Sequence, residues 1–467
     1  MPELPEVETV TRALRVMTEG KTIASIDVYY DKIIANVSSL EFKERLVGQT
    51  IESLGRRGKF IIFTLTKDYL ISHLRMEGCY YLKHPGEALN KHEHIVFNFT
   101  DDTHLVYRDV RKFGRMWLYS KETDIYYSDP LHKLGFEPFE PIDLEQVYER
   151  LQRTQLPIKE SLLDQSIICG IGNIYASEIL YACHINPLLP SRDISKAQVA
   201  LIVQNTRRIL QKSIDAGGST IKSFMSPLEM HGAFQNDFKT YHCEVCSACG
   251  QKLENVKIGG RSSFYCVACQ PLKSIKVVGL TGSIACGKSM VTQYLLDCHY
   301  PVIDCDKLSK EVYTTYTDVI SQAFKDADVF TNNVLDRQKL GRLVFNHPQA
   351  QKMLEGIIHP LVITKMLDSI AALTPTHRLI FVDVPLLYES GSDIYFDDVW
   401  VVSTSLALQI ERLMERDHID KEYACAKINS QMPVSLKEER ADYVLKNNKE
   451  LAYLYKQIDK LLKKYKK

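Results

Sequence analysis

The stretch VVGLTGSIACGKS, residues 277–289, decides the fold of the second half of this chain. Its first five residues predict a buried strand, and the segment after them matches Walker A, the phosphate-loop pattern that precedes a helix. In such a loop backbone amides hold nucleotide phosphates, Lys288 reaches the β and γ phosphates, and Ser289 can ligate Mg²⁺. The stretch therefore predicts a site for a nucleoside triphosphate and names no acceptor. The predicted phosphate-binding residues are Gly282, Ser283, Ile284, Ala285, Cys286, Gly287, Lys288 and Ser289.

The sequence around this loop alternates between strand-like and helical segments. Apolar, β-branched runs occur at 275–280, 379–384 and 399–403, with helical stretches between them. Alternation of this kind is typical of a parallel sheet covered by helices. We therefore expect an α/β domain over residues 275–467.

Composition is that of a globular protein with more than one domain. The chain has 467 residues, of which 45% are hydrophobic and 25% are charged, and this balance excludes a fibrous or largely disordered protein. Lys plus Arg (58) equals Asp plus Glu (58), so DNA binding would require local segregation of charge. We find no apolar run long enough to span a bilayer, and the opening MPELPE is acidic. These features predict a cytosolic protein with no membrane partner.

The cysteines point to a metal rather than to disulfides. Five of the 12 lie within residues 243–269, and cytosolic thiols are kept reduced. Two Cys-x-x-Cys pairs separated by 16 residues form the pattern of a four-thiolate zinc ribbon, a structural site with no open position. Cys243 offers a competing pair with Cys246, whereas Gly250, which permits a tight knuckle, favours Cys246 with Cys249. A zinc-ribbon protein-interaction module is the alternative for this stretch alone. The predicted ligands are Cys246, Cys249, Cys266 and Cys269.

A domain boundary follows the second cysteine pair. Pro271 lies in the junction between that pair and the strand at 275–280, where it suits a chain that leaves one element before starting another. Turn-separated β runs over 22–119 predict an antiparallel sandwich or barrel, and helical periodicity from 143 stops at Gly217-Gly218. We expect a helix plus β-sandwich domain at 1–130, a helical domain at 131–225 and a zinc ribbon at 237–272, ahead of the α/β domain.

The amino terminus carries a potential nucleophile. Removal of Met1, which a small second residue permits, would expose the secondary amine of Pro2. An α-amine titrates near pH 8, so a useful fraction is unprotonated at neutral pH and can attack carbon to form a Schiff base. Glu3 and Glu6 lie beside it, and a carboxylic acid there could protonate a sugar oxygen. The alternative is an ordinary helix start with a proline and acids in its first turn.

The segment MPELPEVETV at 1–10 resembles the start of the formamidopyrimidine-DNA glycosylases, and the resemblance extends at intervals to residue 270. The resemblance implies Pro2 as nucleophile and Glu3 as acid. It also implies Lys59, in RRGKF, as an active-site lysine, for which a solvated hairpin lysine is the alternative. His92 is a further implied DNA-binding residue.

Two further motifs of this family concern the gap left by a flipped-out nucleotide. HLRMEG at 73–78 and DVRKFG at 109–114 imply that Met76, Arg111 and Phe113 fill that gap, although Met76 and Phe113 could equally be core residues. These residues, with Leu4, are similar to the branch that acts on oxidised purines. The chain departs from the family at Arg75, Glu77 and Val110, which touch the intercalating loops and leave lesion preference open.

The segment CGIGNIYASE at 169–178 is a glycine turn between helices. Amides at a helix start, with Asn173, can hold a phosphate, and simple helix capping is the alternative. The turn resembles the helix-two-turn-helix signature of the same family. That resemblance implies DNA-surface roles for Lys159 and for Arg261, which lies between the cysteine pairs.

The rest of the second half resembles dephospho-coenzyme A kinase over residues 275–467, including its lid. The resemblance rests on VIDCD at 302–306, IHP at 358–360, VPLLYE at 384–389 and ADYVLKNN at 441–448. It implies that Asp306 or Asp304 is the base for the ribose 3′-hydroxyl, with the other near Mg²⁺; a helix N-cap is the alternative. Ser283 and Ala285 replace glycines common in the family's loop.

Arg412 and Arg416 lie four residues apart on one predicted helix face, which suits lid arginines that stabilise the transferring phosphate. Neighbouring Glu411 and Glu415 make a solvated, salt-bridged helix the alternative.

Together these features predict a multidomain enzyme with two activities. The first half would remove oxidised purines from damaged double-stranded DNA through a Pro2 Schiff base with β,δ-elimination, and the second would phosphorylate dephospho-CoA with ATP. One structural Zn²⁺ and an ATP-bound Mg²⁺ are expected, in a bacterial cytoplasmic protein whose glycosylase half is monomeric. A DNA-binding scaffold with one decayed site, or a kinase for another nucleotide-like alcohol, are the alternatives.

Overall fold

The computed structural model describes residues 1–219, 232–331 and 334–465. The end of the predicted 131–225 domain, from residue 220, lies outside the described residues. The chain divides into two compact units. The first comprises 1–143, 153–192 and 202–270, and the second comprises 144–152, 193–201 and 271–467.

A β-sandwich forms the core of the first unit. Its strands are β1 (Ile23–Val28), β2 (Ile51–Arg57), β3 (Phe60–Leu65), β4 (Asp68–His73), β5 (Cys79–Lys83), β6 (Glu93–Phe99), β7 (His104–Arg108) and β8 (Arg115–Ser120). Two antiparallel four-stranded sheets result, in the orders β1-β6-β7-β5 and β2-β3-β4-β8. Alternate residues such as Phe63, Leu70, Phe97 and Leu105 fill the core between them.

Helices and a small hairpin complete this half of the sequence. The helices are α1 (Leu4–Thr18), α2 (Ser39–Leu46), α3 (Leu144–Gln152), α4 (Ile158–Leu163), α5 (Asn173–Ala182) and α6 (Lys196–Asp215), and the hairpin pairs β9 (Glu254–Ile258) with β10 (Arg261–Tyr265). Helix α1 starts at Leu4 with Pro5 in its first turn, and a helix that starts here leaves the role of the Pro2 amine open. Its Val7, Val10 and Leu14 pack into the sandwich core, which fixes the amino terminus to the sheets.

The second unit is built on a five-stranded parallel sheet in the order β12-β15-β11-β16-β17. Its strands are β11 (Lys276–Gly282), β12 (Val302–Asp304), β15 (Leu379–Asp383), β16 (Asp398–Ser403) and β17 (Tyr443–Lys446), and β13 (Phe330–Thr331) pairs with β14 (Val334–Leu335) apart from it. Val278, Phe381, Trp400 and Leu445 are fully buried along the sheet. The expected α/β architecture with a parallel sheet is confirmed.

Nine helices surround this sheet among the described residues. They are α7 (Lys288–Asp297), α8 (Cys305–Thr315), α9 (Thr317–Ala323), α10 (Arg337–Asn346), α11 (Pro348–Leu373), α12 (Leu406–Asp417), α13 (Lys421–Asn429), α14 (Val434–Arg440) and α15 (Leu451–Tyr465). Contrary to the sequence expectation, α11 is long and apolar enough to cross a bilayer by length and composition, a test that core helices of soluble proteins also pass.

Candidate active sites

The carboxylate of Glu3 is buried at the start of helix α5. It accepts hydrogen bonds from the backbone N–H groups of Ile174 (3.0 Å) and Tyr175 (3.3 Å), and only 3% of Glu3 is exposed. Burial raises the pKa of Glu3, with Lys59 and the two backbone hydrogen bonds opposing that rise. These hydrogen bonds fix the amino terminus to the glycine turn, and burial favours the protonated form of Glu3.

Two glycines make this approach possible. A Cβ at Gly172 would lie 2.2 Å from the carboxyl carbon of Glu3, and a Cβ at Gly170 would lie 2.4 Å from the Leu4 side chain. Leu4 N–H also donates to Gly170 O at 3.1 Å. Glycine is therefore needed at these two positions because the amino terminus packs against the turn. Simple helix capping would not require it.

Glu6 organises the other side of the amino terminus. Its carboxylate accepts from the Glu3 backbone N–H (3.0 Å), the Tyr175 hydroxyl (2.7 Å) and both the backbone N–H (2.9 Å) and hydroxyl (2.7 Å) of Ser219. Glu6 is 2% exposed, so these donors replace water around a buried carboxylate. Glu6 thus holds Glu3 in place and does not stand free for chemistry.

Lys59 is buried beside Glu3, not on the surface as the hairpin-lysine alternative requires. Its Nζ donates to Ile171 O at 2.8 Å, and the residue is 5% exposed. Burial lowers the pKa of Lys59, Glu3 counteracts this and Arg261 adds to it. Pro2, Glu3 and Lys59 therefore converge on one buried site.

The three residues expected to fill the gap in DNA are exposed rather than in the core. Met76 and Phe113 are 37% and 48% exposed to solvent, and the Arg111 guanidinium lies 4.8 Å from the Phe113 ring centre. Exposed apolar side chains of this size, next to a cation, suit contact with stacked bases. His92 lies in a neighbouring turn with a positive φ of 73° and is half-buried.

Asp109, to which the sequence analysis gave no role, shapes the loop that carries Arg111 and Phe113. Its buried carboxylate accepts from Arg111 N–H at 3.0 Å and Gly114 N–H at 2.7 Å. Its backbone N–H donates to His92 O at 3.0 Å. An aspartate two residues before a loop turn is the only sequence signal for this role.

His73 supports the loop that presents Met76. Its Nδ1 accepts the N–H of Arg75, which has a positive φ of 54°, and its ring packs on Phe60 at 4.5 Å between ring centres. Burial, with a smaller effect of Arg75, lowers the pKa of His73 to about 3. The ring is therefore neutral in the folded protein at ordinary pH.

We predict that acidification destabilises the β-sandwich through His73. The folded pKa lies below the unfolded value of 6.5, so the stabilisation is complete above pH 6.5 and is lost as pH falls. The loss between pH 7 and pH 5 is about 2 kcal/mol. Urea unfolding of a Trp400→Phe chain, in which Trp117 alone reports by fluorescence, measures it. Adding His73→Asn should remove most of this pH dependence; an unchanged dependence would contradict the prediction.

Lys159 and Asn173 tie helices α4 and α5 to the hairpin of the ribbon. Lys159 Nζ donates to Ser177 Oγ (2.9 Å), Ser262 O (3.1 Å) and Ser263 Oγ (2.9 Å), and Asn173 Nδ2 donates to Ser262 O (3.1 Å). Lys159 is fully buried, so the structure places it inside and not on an exposed DNA surface. Burial, and to a lesser extent Arg261, lowers its pKa to about 8. Arg261 itself is exposed at the start of β10.

Four cysteine sulfurs converge in the ribbon. Those of Cys246, Cys249, Cys266 and Cys269 all lie within 4.8 Å of one another, with 3.7 Å between Cys246 and Cys269. A tetrahedral ion with bonds of about 2.3 Å to sulfur needs sulfurs about 3.8 Å apart, so the four thiolates fit a zinc ion. Cys243 lies outside this group, with its sulfur 3.5 Å from Phe238 O. The preference for Cys249 over Cys243 is thus supported.

The second site surrounds the phosphate loop. Lys288, the first residue of α7, forms an ion pair with Asp383, and Thr292 Oγ1 donates to the other oxygen of Asp383 at 3.0 Å. Ala285 has a positive φ of 60°, a conformation that favours the glycine it replaces and that costs about 1 kcal/mol for alanine. Ser289 is exposed at the mouth of the loop.

Asp383 and Asp304 end adjacent parallel strands and are register partners. Carboxyl ends of parallel strands form the ligand edge of such sheets. Asp304 caps α8 by accepting the Lys307 N–H at 3.1 Å. Asp306 is exposed in the first turn of α8 and lines a cavity of about 390 Å³ together with Val362, Met366 and other apolar residues of α11. The sequence analysis missed Asp383, although it directly follows an apolar strand run.

The two arginines of α12 differ in environment. Arg412 Nη2 donates to Asn447 O at 3.2 Å, while its Nη1 is buried without a hydrogen-bond partner among the described residues. A Cβ at Gly287 would lie 4.0 Å from that Nη1, so the unsatisfied donor faces the phosphate loop. Arg416 pairs with Asp417 on the exposed side of the helix. Arg412 thus fits the predicted phosphate role, and Arg416 has an alternative partner in this structure.

These arrangements define an amino-terminal-amine site joined to helix-two-turn-helix and zinc-ribbon elements, followed in the sequence by a phosphate-loop kinase fold. Family models match residues 1–116 (formamidopyrimidine-DNA glycosylase N-terminal domain), 134–225 (formamidopyrimidine-DNA glycosylase H2TH domain) and 276–453 (dephospho-CoA kinase). The chain belongs to the formamidopyrimidine-DNA glycosylase family through its first 270 residues and carries a dephospho-CoA kinase domain after them.

Individual relatives agree with this assignment. The formamidopyrimidine-DNA glycosylases of Oceanobacillus iheyensis and an Exiguobacterium species are 43% and 44% identical over 277 and 274 residues, which cover 58% of this chain and 99% of each relative. A Lactococcus lactis Fpg crystal structure with N7-benzyl-Fapy-dG DNA is 38% identical, with a TM-score of 0.54, over 58% of this chain and all of that chain. A second, with abasic-site DNA, is 37% identical with a TM-score of 0.54, over 57% of this chain and 99% of its own.

Proposed function

We propose that the first half excises oxidised purines from damaged double-stranded DNA and cleaves the strand, and that the second half phosphorylates the 3′-hydroxyl of dephospho-CoA with ATP. The observation that carries the first activity is the burial of Glu3 and Lys59 beside the amino-terminal amine. The observation that carries the second is the phosphate loop, whose Lys288 faces Asp383 at the ligand edge of the parallel sheet.

The glycosylase reaction starts from the secondary amine of Pro2, which removal of Met1 frees. An α-amine titrates near pH 8, so a useful fraction of the Pro2 amine is unprotonated at neutral pH. The Pro2 nitrogen attacks C1′ of the damaged nucleotide, its proton is lost, and the bond from C1′ to the base breaks with protonation of the leaving base. Opening of the sugar ring then gives an iminium between Pro2 and C1′.

Glu3 acts as the acid in this scheme. Burial raises the pKa of Glu3, which favours the protonated form that can deliver a proton to the sugar ring oxygen as the ring opens. The neighbouring Lys59 stabilises the carboxylate that results, because the two side chains interact in a buried site. β-Elimination and then δ-elimination release both phosphates, and water hydrolyses the iminium to regenerate Pro2.

The lesion assignment rests on the exposed side chains near this site. Met76, Arg111 and Phe113 project from two loops and are available to replace the stacking and pairing of an extruded purine. Relatives of known structure are held on DNA that contains Fapy-dG analogues or abasic sites. The test is product analysis on a labelled 8-oxoguanine duplex. We expect free base and a one-nucleotide gap with phosphate at both ends; an intact strand or base release without cleavage would contradict the lyase step.

We propose one structural Zn²⁺ on Cys246, Cys249, Cys266 and Cys269. Such an ion holds the ribbon in its folded form and supplies no chemistry to the reaction. The hairpin that it stabilises carries Arg261 and accepts hydrogen bonds from Lys159 and Asn173. The ribbon therefore supports the DNA face without taking part in catalysis.

We predict that Cys246→Ser removes the bound zinc and lowers the affinity for damaged DNA about 100-fold, because a three-thiolate site no longer folds the hairpin. Phosphorylation of dephospho-CoA should stay within about twofold of the parent, since its residues lie elsewhere. Elemental analysis and DNA-binding titration measure the two effects. Cys243→Ser is the matched control and should retain one zinc per chain; loss of zinc in that variant instead would overturn the ligand assignment.

In the kinase reaction the phosphate-loop amides and Lys288 bind the β and γ phosphates of ATP. Arg412 offers its unsatisfied Nη1 to the transferring phosphoryl group. Asp306 takes the proton of the acceptor hydroxyl, since it lines the apolar cavity in which the acceptor would lie. We propose that Mg²⁺, held by Ser289 and the neighbouring carboxylate of Asp304, neutralises phosphate charge when it is bound.

The kinase proposal is tested by incubating the full chain with ATP and dephospho-CoA and locating the new phosphate by phosphorus NMR. We expect ATP consumption only when dephospho-CoA is present, with the phosphate on the ribose 3′-oxygen. Turnover of ATP without an acceptor, or transfer to adenosine as efficiently as to dephospho-CoA, would contradict the acceptor assignment.

We further propose a bacterial cytoplasmic location and a monomeric glycosylase half. The known relatives are bacterial proteins, and both proposed substrates, chromosomal DNA and a coenzyme precursor, occur inside the cell. Sedimentation of the full chain should give a mass near 53.5 kDa. A dimer that persists at nanomolar concentration would contradict the monomer.

A further inference from the structure

Lys437 of α14 is a fully buried cation outside the phosphate-binding set described above. Its side chain is 0% exposed, and its Nζ lies 2.8 Å from a carboxylate oxygen of Glu389, whose side chain is 22% exposed. The Nζ is not aligned for a hydrogen bond with any group among the described residues. A buried ammonium is costly unless it is paired, so Glu389 is the group that makes this position tolerable.

Glu389 also reaches toward the phosphate loop. The same carboxylate oxygen accepts the N–H of Met432 at 3.1 Å. The residue before it, Gln431, accepts the N–H of Ile284 in the phosphate loop at 2.9 Å. A chain of contacts therefore runs from Lys437 through Glu389 and the 431–432 segment to the loop that binds phosphates.

Glu389 also lies close in sequence to the acceptor cavity. Glu389 follows strand β15 in the segment that also supplies Leu386, Ser390 and Ser392 to the cavity wall. Asp306 lies on the same cavity. Glu389 does not itself line the cavity, but it directly precedes Ser390, which does, and its carboxylate contacts Lys437 and the N–H of Met432.

We propose that Glu389 and Lys437 are a positioning pair that couples acceptor binding to the phosphate loop. This inference rests on the proposed kinase function of the second half. Movement of the cavity wall on acceptor binding pulls on Glu389, and the pair transmits that movement to the segment that holds Ile284. ATP and the acceptor therefore strengthen each other's binding, and loss of the pair uncouples the two sites.

The test measures binding of dephospho-CoA to the full chain by calorimetry, with and without a non-hydrolysable ATP analogue. In the parent, the analogue should tighten dephospho-CoA binding about fivefold. The single variant Glu389→Gln leaves the buried Lys437 without a charged partner, Lys437→Met leaves the partly exposed Glu389 without one, and circular dichroism checks that both fold. The double variant Glu389→Gln/Lys437→Met removes both charges together, so no unpaired charge is left at the buried position of Lys437. Lys421→Met, an exposed lysine of α13, is the matched control.

We expect the double variant to bind each ligand alone within about twofold of the parent and to lose the fivefold enhancement, while Lys421→Met keeps it. A pair with only a structural role would lower the fraction of active protein and leave the enhancement unchanged. Enhancement that persists in the folded double variant, or that is absent from the parent, would overturn the inference. Parent protein that binds both ligands with enhancement but transfers no phosphate would instead overturn the kinase function.

Discussion

Replacement of Lys288 by alanine is expected to lower kcat/KM for phosphorylation of dephospho-CoA by about 1,000-fold or more. The side chain of Lys288 forms an ion pair with Asp383 at the edge of the sheet. Residues 282–289 contain one lysine, Lys288, to reach the β and γ phosphates. Removal of this side chain leaves the negative charge of the transferred phosphoryl group without its nearest cation. Steady-state kinetics with ATP and dephospho-CoA measure the loss, and excision of 8-oxoguanine by the same preparation should not change.

Lys307→Ala is the matched control for this variant. Lys307 lies 4.0 Å from Asp304 but is 78% exposed, so it adds charge near the site without facing the loop. We expect its kcat/KM to stay within about threefold of the parent. Activity that survives in Lys288→Ala, or that falls equally in Lys307→Ala, would contradict the assignment of Lys288.

Replacement of Gly172 by alanine is expected to lower excision of 8-oxoguanine by about 100-fold while the protein remains folded. The added Cβ would lie 2.2 Å from the carboxyl carbon of Glu3, which must then leave its hydrogen bonds to Ile174 and Tyr175. The Glu3 carboxyl group is displaced from the Pro2 amine, while Glu6 still holds the start of helix α1. Single-turnover excision measures the loss, and thermal unfolding checks that the fold survives.

Gly55→Ala is the control for the glycine change. Gly55 lies in strand β2 and a Cβ there would meet nothing within 4 Å, so the variant should excise the lesion at the parent rate. Full activity in Gly172→Ala would show that the position of Glu3 does not matter. The kinase activity of both variants provides an internal measure of active protein concentration.

Much of the fold could be predicted because its signals are local. The phosphate loop occurs as a strand, a glycine-rich turn and a helix in consecutive residues, and the two Cys-x-x-Cys pairs bring their own ligands together. Spacing alone left Cys243 and Cys249 as alternatives, and Gly250 pointed to the one that the structure favours. Local rules of this kind need no knowledge of tertiary contacts.

The environments of single side chains could not be predicted in this way. Lys159 was expected on the surface, yet two serines of β10 and one of α5 bury its ammonium group. Asp383 lies far from Lys288 in sequence, and only the parallel pairing of β11 with β15 brings them together. Such contacts depend on packing between elements, which a single sequence does not reveal.

The balance of charge illustrates the same limit. An equal number of acidic and basic residues suggested that a few placed cations form the DNA face. Four cations were implied at the active site or the DNA surface: of these, Arg111 and Arg261 are exposed, whereas Lys59 and Lys159 are buried and have lowered pKa values. We therefore expect direct attraction to DNA from the exposed pair, and expect the buried pair to act through the catalytic site and the ribbon.

The most direct test of the central claim is borohydride trapping of the full chain on a duplex that contains 8-oxoguanine. Reduction of the iminium should give a covalent adduct, and mass spectrometry should place the DNA on Pro2 of a chain that has lost Met1. Pro2→Gly should weaken the adduct. The absence of an adduct from protein shown to lack Met1, or an adduct on Lys59 instead of Pro2, would contradict the account.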